Sequence, residues 1–145
     1  MYLTYLMLMI NMGISNQLDY ISFDQKMNEA KDSNKHVLLV FSGSDWCKPC
    51  IQFKKNVLDS QEFRAYADSK LVIYVADFPY SKKNRLPKAQ TEQNEALAEK
   101  YNPNGEFPSV SLIDPDSQKS SQIGTSNMKN TQGFLQDVQR IIDLP

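Results

Sequence analysis

An unbroken apolar run, HVLLVFS at residues 36–42, leaves this chain little freedom in how it can fold. Seven residues are too few for a core helix, and the valines and phenylalanine suit a strand. No polar residue alternates with the apolar ones, so both faces of the strand need cover, which a sheet sandwiched between helices supplies. KLVIYVADF at 70–78 repeats the pattern and reads as a second buried strand.

The intervening and flanking segments carry helical periodicity. In SFDQKMNEAKDSNK, Ser22 is an N-cap candidate, with Phe23, Met27 and Ala30 on one face. CIQFKKNVLDSQEFRAY, from residue 50, places Ile51, Phe53, Val57 and Leu58 at roughly helical spacing, continued by Phe63 and Tyr66. A basic loop at 79–90 precedes TEQNEALAEKYN, a helix with Leu97 and Tyr101 on one face. PSVSLID at 108–114 alternates as a strand, and PDSQKSSQIG makes a turn into a short edge strand ending near Ile123. TQGFLQDVQRIIDL closes the chain as an amphipathic helix. The order is helix, strand, helix, strand, helix, strand, strand, helix, which is an α/β chain with a mixed sheet. At 145 residues this is one domain with a real core.

The first 15 residues stand apart. Residues 2–10 are apolar except for Thr4, too short a run to span a bilayer as a helix, which takes about 20 residues. They resemble the h-region of a secretory signal, with Gly13 and Ser15 near a cleavage point, although no Lys or Arg precedes them. The expectation is a signal peptide or N-terminal extension over 1–15 and a domain over 16–145. The chain would then be exported to a bacterial periplasm or cell envelope; if the stretch is not a signal, the chain would be cytoplasmic.

Both cysteines lie in SDWCKPC at 44–50, immediately after the only tryptophan and the end of the first strand. A helix opening at Cys47 would present unpaired backbone N–H groups and its positive dipole end to the sulfur, favouring a thiolate. Cys50, one turn on, is placed to attack a mixed disulfide formed at Cys47. Pro49 removes an N–H that the first turn leaves unsatisfied anyway. Lys48 also favours the thiolate, although an exposed ammonium is strongly screened. Trp46 offers either a flat apolar surface beside the nucleophile or simple packing at the strand end.

Other uses of the pair fit less well. Zinc takes four ligands, and His36 is the chain's only histidine. A structural disulfide closing so short a loop restrains the unfolded chain little. The net charge of −1 gives no basis for nucleic-acid binding. The cations Lys82, Lys83, Arg85 and Lys88 form either a solvated loop or a dock for an acidic partner.

VFSGSDWCKPC, DFP at 77–79, NEALAEKYN and FPSVSLID together resemble the thioredoxin superfamily, and within it the thioredoxin-like proteins of bacterial cell envelopes. The similarity covers roughly residues 22–144. It implies a thioredoxin-like fold, a central mixed sheet flanked by helices. It implies a thiol–disulfide oxidoreductase (a disulfide reductase or isomerase) exchanging disulfides with protein substrates: Cys47 is the nucleophile and Cys50 the resolving thiol. It also implies that Pro108 is cis, faces the cysteines and leaves the Phe107 backbone free to pair with an extended substrate, with Trp46 completing that surface. The implied cofactor is none beyond the redox disulfide, with no metal. The implied partners are protein thiols or disulfides and an electron-donor protein, with no nucleic acid, no membrane span and a monomeric chain. The alternative from another class is a redox-inactive peptide-binding or assembly module on the same fold.

The sequence departs from thioredoxin itself in one respect. That pattern puts a buried Asp beneath the second cysteine as proton acceptor, where this chain has Val40 or Phe41, depending on alignment by one residue. The lysine that partners that Asp is also missing from VIYVAD. Deprotonation of Cys50 is left to water or another carboxylate, with Asp45 and Asp77 the nearest candidates.

Overall fold

The computed structural model describes residues 20–145. The expected signal segment at 1–15 and the expected domain start at 16 lie outside the described residues. Among the described residues, five α-helices and four strands keep the expected order except that the helix between the first two strands is divided in two: α1 (Phe23–Asp32), β1 (His36–Ser42), α2 (Lys48–Phe53), α3 (Gln61–Lys70), β2 (Leu71–Asp77), α4 (Lys88–Tyr101), β3 (Ser109–Ile113), β4 (Ser120–Ile123) and α5 (Thr131–Ile142). The sheet runs β2-β1-β3-β4, with β1 and β2 parallel and the other pairs antiparallel.

β1 shows why its sequence never alternates. Leu38 and Val40 join Val110 and Leu112 in a core closed by Phe53, Val57, Phe63, Phe134 and Val138, from the segments containing α2, α3 and α5. Val37, Leu39 and Phe41 face the other way, into a core with Phe23 and Ala30 of α1 and Leu97 of α4. Phe134 lies edge-on to Phe53, ring centroids 5.1 Å apart, and locks α5 over the first core.

Three expectations need correcting. The segment from residue 50 is not one helix. α2 runs into a π-helical stretch, Lys54–Leu58, and the chain breaks before Ser60 caps α3 by accepting the Phe63 N–H at 3.2 Å. Asp59 at the break pairs with Lys54 (2.6 Å) and Arg64 (3.2 Å). Cys50, Phe53 and Val57 are the inward positions, so Ile51 is 47% exposed rather than core. β2 is an edge strand rather than fully buried: Val72, Tyr74 and Ala76 pack under α1 and α4, whereas Val75 is 46% exposed on the other face. β3 is buried at every residue because it sits between β1 and β4, so Ser109 and Ser111 are covered with their apolar neighbours.

A polar network fastens α4 to β2. Buried Asn94 accepts from the Tyr74 hydroxyl at 2.7 Å and donates to the carbonyl of Asp77 at 3.0 Å. Gln90 donates to the same hydroxyl at 2.6 Å. Burial pushes the Tyr74 phenol above its ordinary range. This network fixes the end of β2, which lies beside the cysteine pair.

Candidate active site

β1 and β2 leave the sheet together. Their parallel register pairs Ser42 with Asp77, so the segments after them, 43–47 and 78–85, emerge side by side. The chain turns at Gly43, whose carbonyl accepts the Cys47 N–H at 2.9 Å. A Cβ on Gly43 would overlap the Trp46 indole, so glycine is what lets the ring lie flat against the turn. The indole N–H donates to the Phe78 carbonyl at 2.7 Å and leaves the ring 51% exposed.

Cys47 is the N-cap of α2, and its Sγ accepts the backbone N–H of Cys50 at 3.3 Å. The two cysteines are joined as a disulfide, with Cα atoms 5.2 Å apart. Both residues are buried, at 4% and 2% exposure. Exposure therefore does not distinguish them in this oxidised form; position at the helix end does. Pro49 sits in the first turn, and Lys48 is exposed without a carboxylate partner among the described residues.

The Phe107–Pro108 peptide bond is cis, as the resemblance implies. Phe107 makes edge contacts with Trp46 (5.4 Å between centroids) and Phe78 (5.5 Å), which gives a three-ring cluster beside the disulfide. Its backbone N–H and carbonyl have no hydrogen-bond partner among the described residues. The preceding turn is clamped by buried Asn102, whose side chain bonds both the N–H (3.0 Å) and the carbonyl (2.8 Å) of Glu106. Phe107 and Pro108 line a groove of about 620 Å³ with Pro49, Phe53 and Met128.

A second cavity, about 450 Å³, lies under the disulfide on the open face of β2. Cys50, Val40, Val75, Ser44, Asp77 and Pro108 are among its walls. This settles the alignment ambiguity: Val40 shares the cavity with Cys50, whereas Phe41 belongs to the opposite core. Asp77 also reaches this cavity, its carboxylate accepting the Ser44 N–H at 2.9 Å and the Ser44 hydroxyl.

Asp45 is engaged elsewhere. Its carboxylate accepts the N–H groups of Tyr80 (2.8 Å) and Ser81 (2.9 Å) and the Asn84 amide (3.0 Å). These bonds, Tyr80's foremost, hold its pKa below the ordinary carboxylate value. The side chain is the clamp of the neighbouring loop, and it does not line the Cys50 cavity. His36 opens β1 at the end opposite the cysteines, about 20 Å away at strand rise, so it cannot join them on a metal.

Sequence reasoning missed Gly43, Ser44, Asn84 and Asn102, whose work is to hold other residues. Asn102 alone had a local signal, as an Asn before Pro in a turn sequence.

The family description "Thioredoxin-like domain" matches residues 23–139, and the chain belongs to that family. Disulfide bond reductase DsbH of Chlamydia pneumoniae is 33% identical over 107 residues, covering 74% of this chain and 63% of the relative. Thioredoxin-related protein DsbJ of the same organism is 29% identical over 106 residues, covering 73% of this chain and 30% of the relative. The chain thus spans less than two thirds of either curated relative. Among solved structures, a DsbH oxidoreductase superposes with a TM-score of 0.75 at 29% identity, covering 88% of this chain and 86% of that one.

Proposed function

We propose that this chain is a thiol–disulfide oxidoreductase that exchanges disulfides with protein substrates through Cys47 and Cys50. The observation that carries the reading is the N–H of Cys50 donated to the Cys47 sulfur at the N-cap of α2. In the reduced protein the same donor and the helix end would stabilise negative charge on that sulfur.

Starting reduced, the Cys47 thiolate attacks one sulfur of a substrate disulfide. A mixed disulfide forms and the other substrate sulfur leaves as a thiolate, which takes up a proton. Cys50 then loses its proton and attacks the Cys47 sulfur, expelling the second substrate thiolate. Two electrons pass to the substrate, and the protein is left with the Cys47–Cys50 disulfide seen here. An electron-donor protein with a dithiol must restore the reduced state, and the reverse sequence would oxidise a substrate.

Trp46, Phe107 and Pro108 form the substrate surface in this reading. The unpaired Phe107 backbone supports it, since an extended peptide could take up those groups as a strand does. The names of the two Chlamydia relatives, a disulfide bond reductase and a thioredoxin-related protein, support the reaction class. An exported, cell-envelope setting belongs to the proposal through the apolar run at 2–10.

Reduction of insulin by dithiothreitol tests the activity. Acceleration over the reductant alone is expected, and its absence would leave a binding module. The reduction potential of the cysteine pair then sets direction: about −270 mV marks a reductase and about −120 mV an oxidant.

A further inference from the structure

The loop at 78–85 is built into the site by the residues that precede Cys47. Asp45 takes three hydrogen bonds from it, and the Trp46 indole holds the Phe78 carbonyl. Tyr80 is 88% exposed, and Lys82, Lys83 and Arg85 are exposed with no carboxylate within 4.0 Å among the described residues. Lys88, just beyond, is paired with Glu92 at 3.5 Å. Three unpaired cations in four residues are a local feature, because the whole chain carries a net charge of −1. Asp45, ionised and bonded to the loop's own N–H groups, offsets part of this charge, and three cations against one carboxylate leave the loop net positive.

We propose that this loop is a docking surface for an acidic segment of the protein with which the chain exchanges disulfides. The partner's carboxylates would meet Lys82, Lys83 and Arg85, and Tyr80 would supply an aromatic contact at the same edge. Because Asp45 and Trp46 fix the loop beside Cys47, docking there would bring a nearby sulfur of the partner to the cysteine pair. The gain is in encounter rate and partner choice, as exposed charges act mainly on these. The purpose of docking rests on the proposed exchange activity; the binding itself does not.

Two separate measurements test this. Calorimetry measures the affinity of the oxidised protein for a cysteine-free peptide rich in Asp and Glu, against its Asn/Gln counterpart. Trp46, the only tryptophan, gives a local fluorescence readout. The acidic peptide should bind and the neutral one should not. The K82S/K83S/R85S variant, which keeps Asn84 on Asp45, should lose about tenfold in affinity, as should the wild type on raising salt from about 0.05 to about 0.5 M. Equal binding of both peptides, or full affinity in the triple variant, would overturn the proposal. So would tighter binding to phosphatidylglycerol vesicles than to the peptide, which would assign the patch to a membrane. Exchange with bis(2-hydroxyethyl) disulfide, small and neutral, is assayed independently. Its absence alongside acidic-peptide binding would sink the oxidoreductase reading and leave the docking surface standing.

Discussion

Val40 and Cys50 are walls of the same cavity, and Val40 offers the cysteine only an aliphatic surface. The resemblance to thioredoxin implies a carboxylate at this place, where it would take the proton from the resolving thiol. Two carboxylates reach that cavity: Asp59, which is paired with Lys54 and Arg64, and Asp77, which arrives from the end of β2, carries no basic partner among the described residues and is held by Ser44.

Replacing Asp77 by Asn keeps the shape and removes the carboxylate. We expect the resolving step, followed by rapid-quench decay of a mixed disulfide on Cys47, to slow by about tenfold or more. Alkylation of Cys47 should be unaffected. Ser44→Ala serves as the control for lost anchoring, and an equal slowing in that variant would mean that Asp77 acts through the turn.

Val40→Asp restores the missing carboxylate. Burial should raise its pKa and lower stability by about 1–3 kcal/mol in urea unfolding. Once ionised, it should speed resolution, so the rate gains a new upward step with pH that the wild type lacks. A flat difference between the two profiles would show that proton removal is not limited by this site.

The loop clamp has a pH signature of its own. Hydrogen bonds from Tyr80, Asn84 and Ser81 depress the Asp45 pKa in the folded state. The stabilisation they represent is present in full above the ordinary carboxylate value of 3.8 and is lost as pH falls below it through the depressed folded value. Trp46 emission and exchange of the Tyr80 and Ser81 amides should therefore change in that acid window. Asp45→Asn should abolish the step.

How much of this was legible in the sequence follows from the range of each interaction. HVLLVFS gave β1 residue for residue, because cover on both faces leaves its mark on every position. The cysteine pair and Pro108 were visible as short motifs. The clamp made by Asp45 was not legible because its partners lie 35–39 positions away, and only the parallel register of Ser42 with Asp77 brings them together. Ile51 was misassigned because one residue of helical phase separates an inward from an outward position around Cys50. β2 looked buried because its apolar content is the same whether or not a helix covers Val75.

Phe134 tests the packing beneath the site. It is fully buried and contacts Phe53 of α2 and Phe63 of α3. Phe134→Ala should cost about 3–5 kcal/mol in denaturant unfolding. Because Phe53 is one turn beyond Cys50, a loosened α2 should also show as faster amide exchange in its first turn. An unchanged midpoint would mean that α5 is not a structural support for the site.

The division of labour between the two sulfurs is the decisive test. In the oxidised protein both cysteines are equally shielded, so any difference in their chemistry must come from where each sits on α2. Cys47 is the cap: its sulfur receives a backbone N–H and lies at the positive end of the helix, and Lys48 is adjacent. Cys50 lies inside the first turn, against Val40 and Phe53, where apolar surroundings disfavour a thiolate. Alkylation of the reduced protein at mildly acidic pH should label Cys47 well before Cys50. The Cys50→Ser variant should accumulate mixed disulfides with partner proteins, since the resolving attack is gone. Cys47→Ser should trap almost none. Equal labelling, or equal trapping by the two variants, would show that the helix end does not separate the thiols, and the role assigned to the N–H of Cys50 would fall with it.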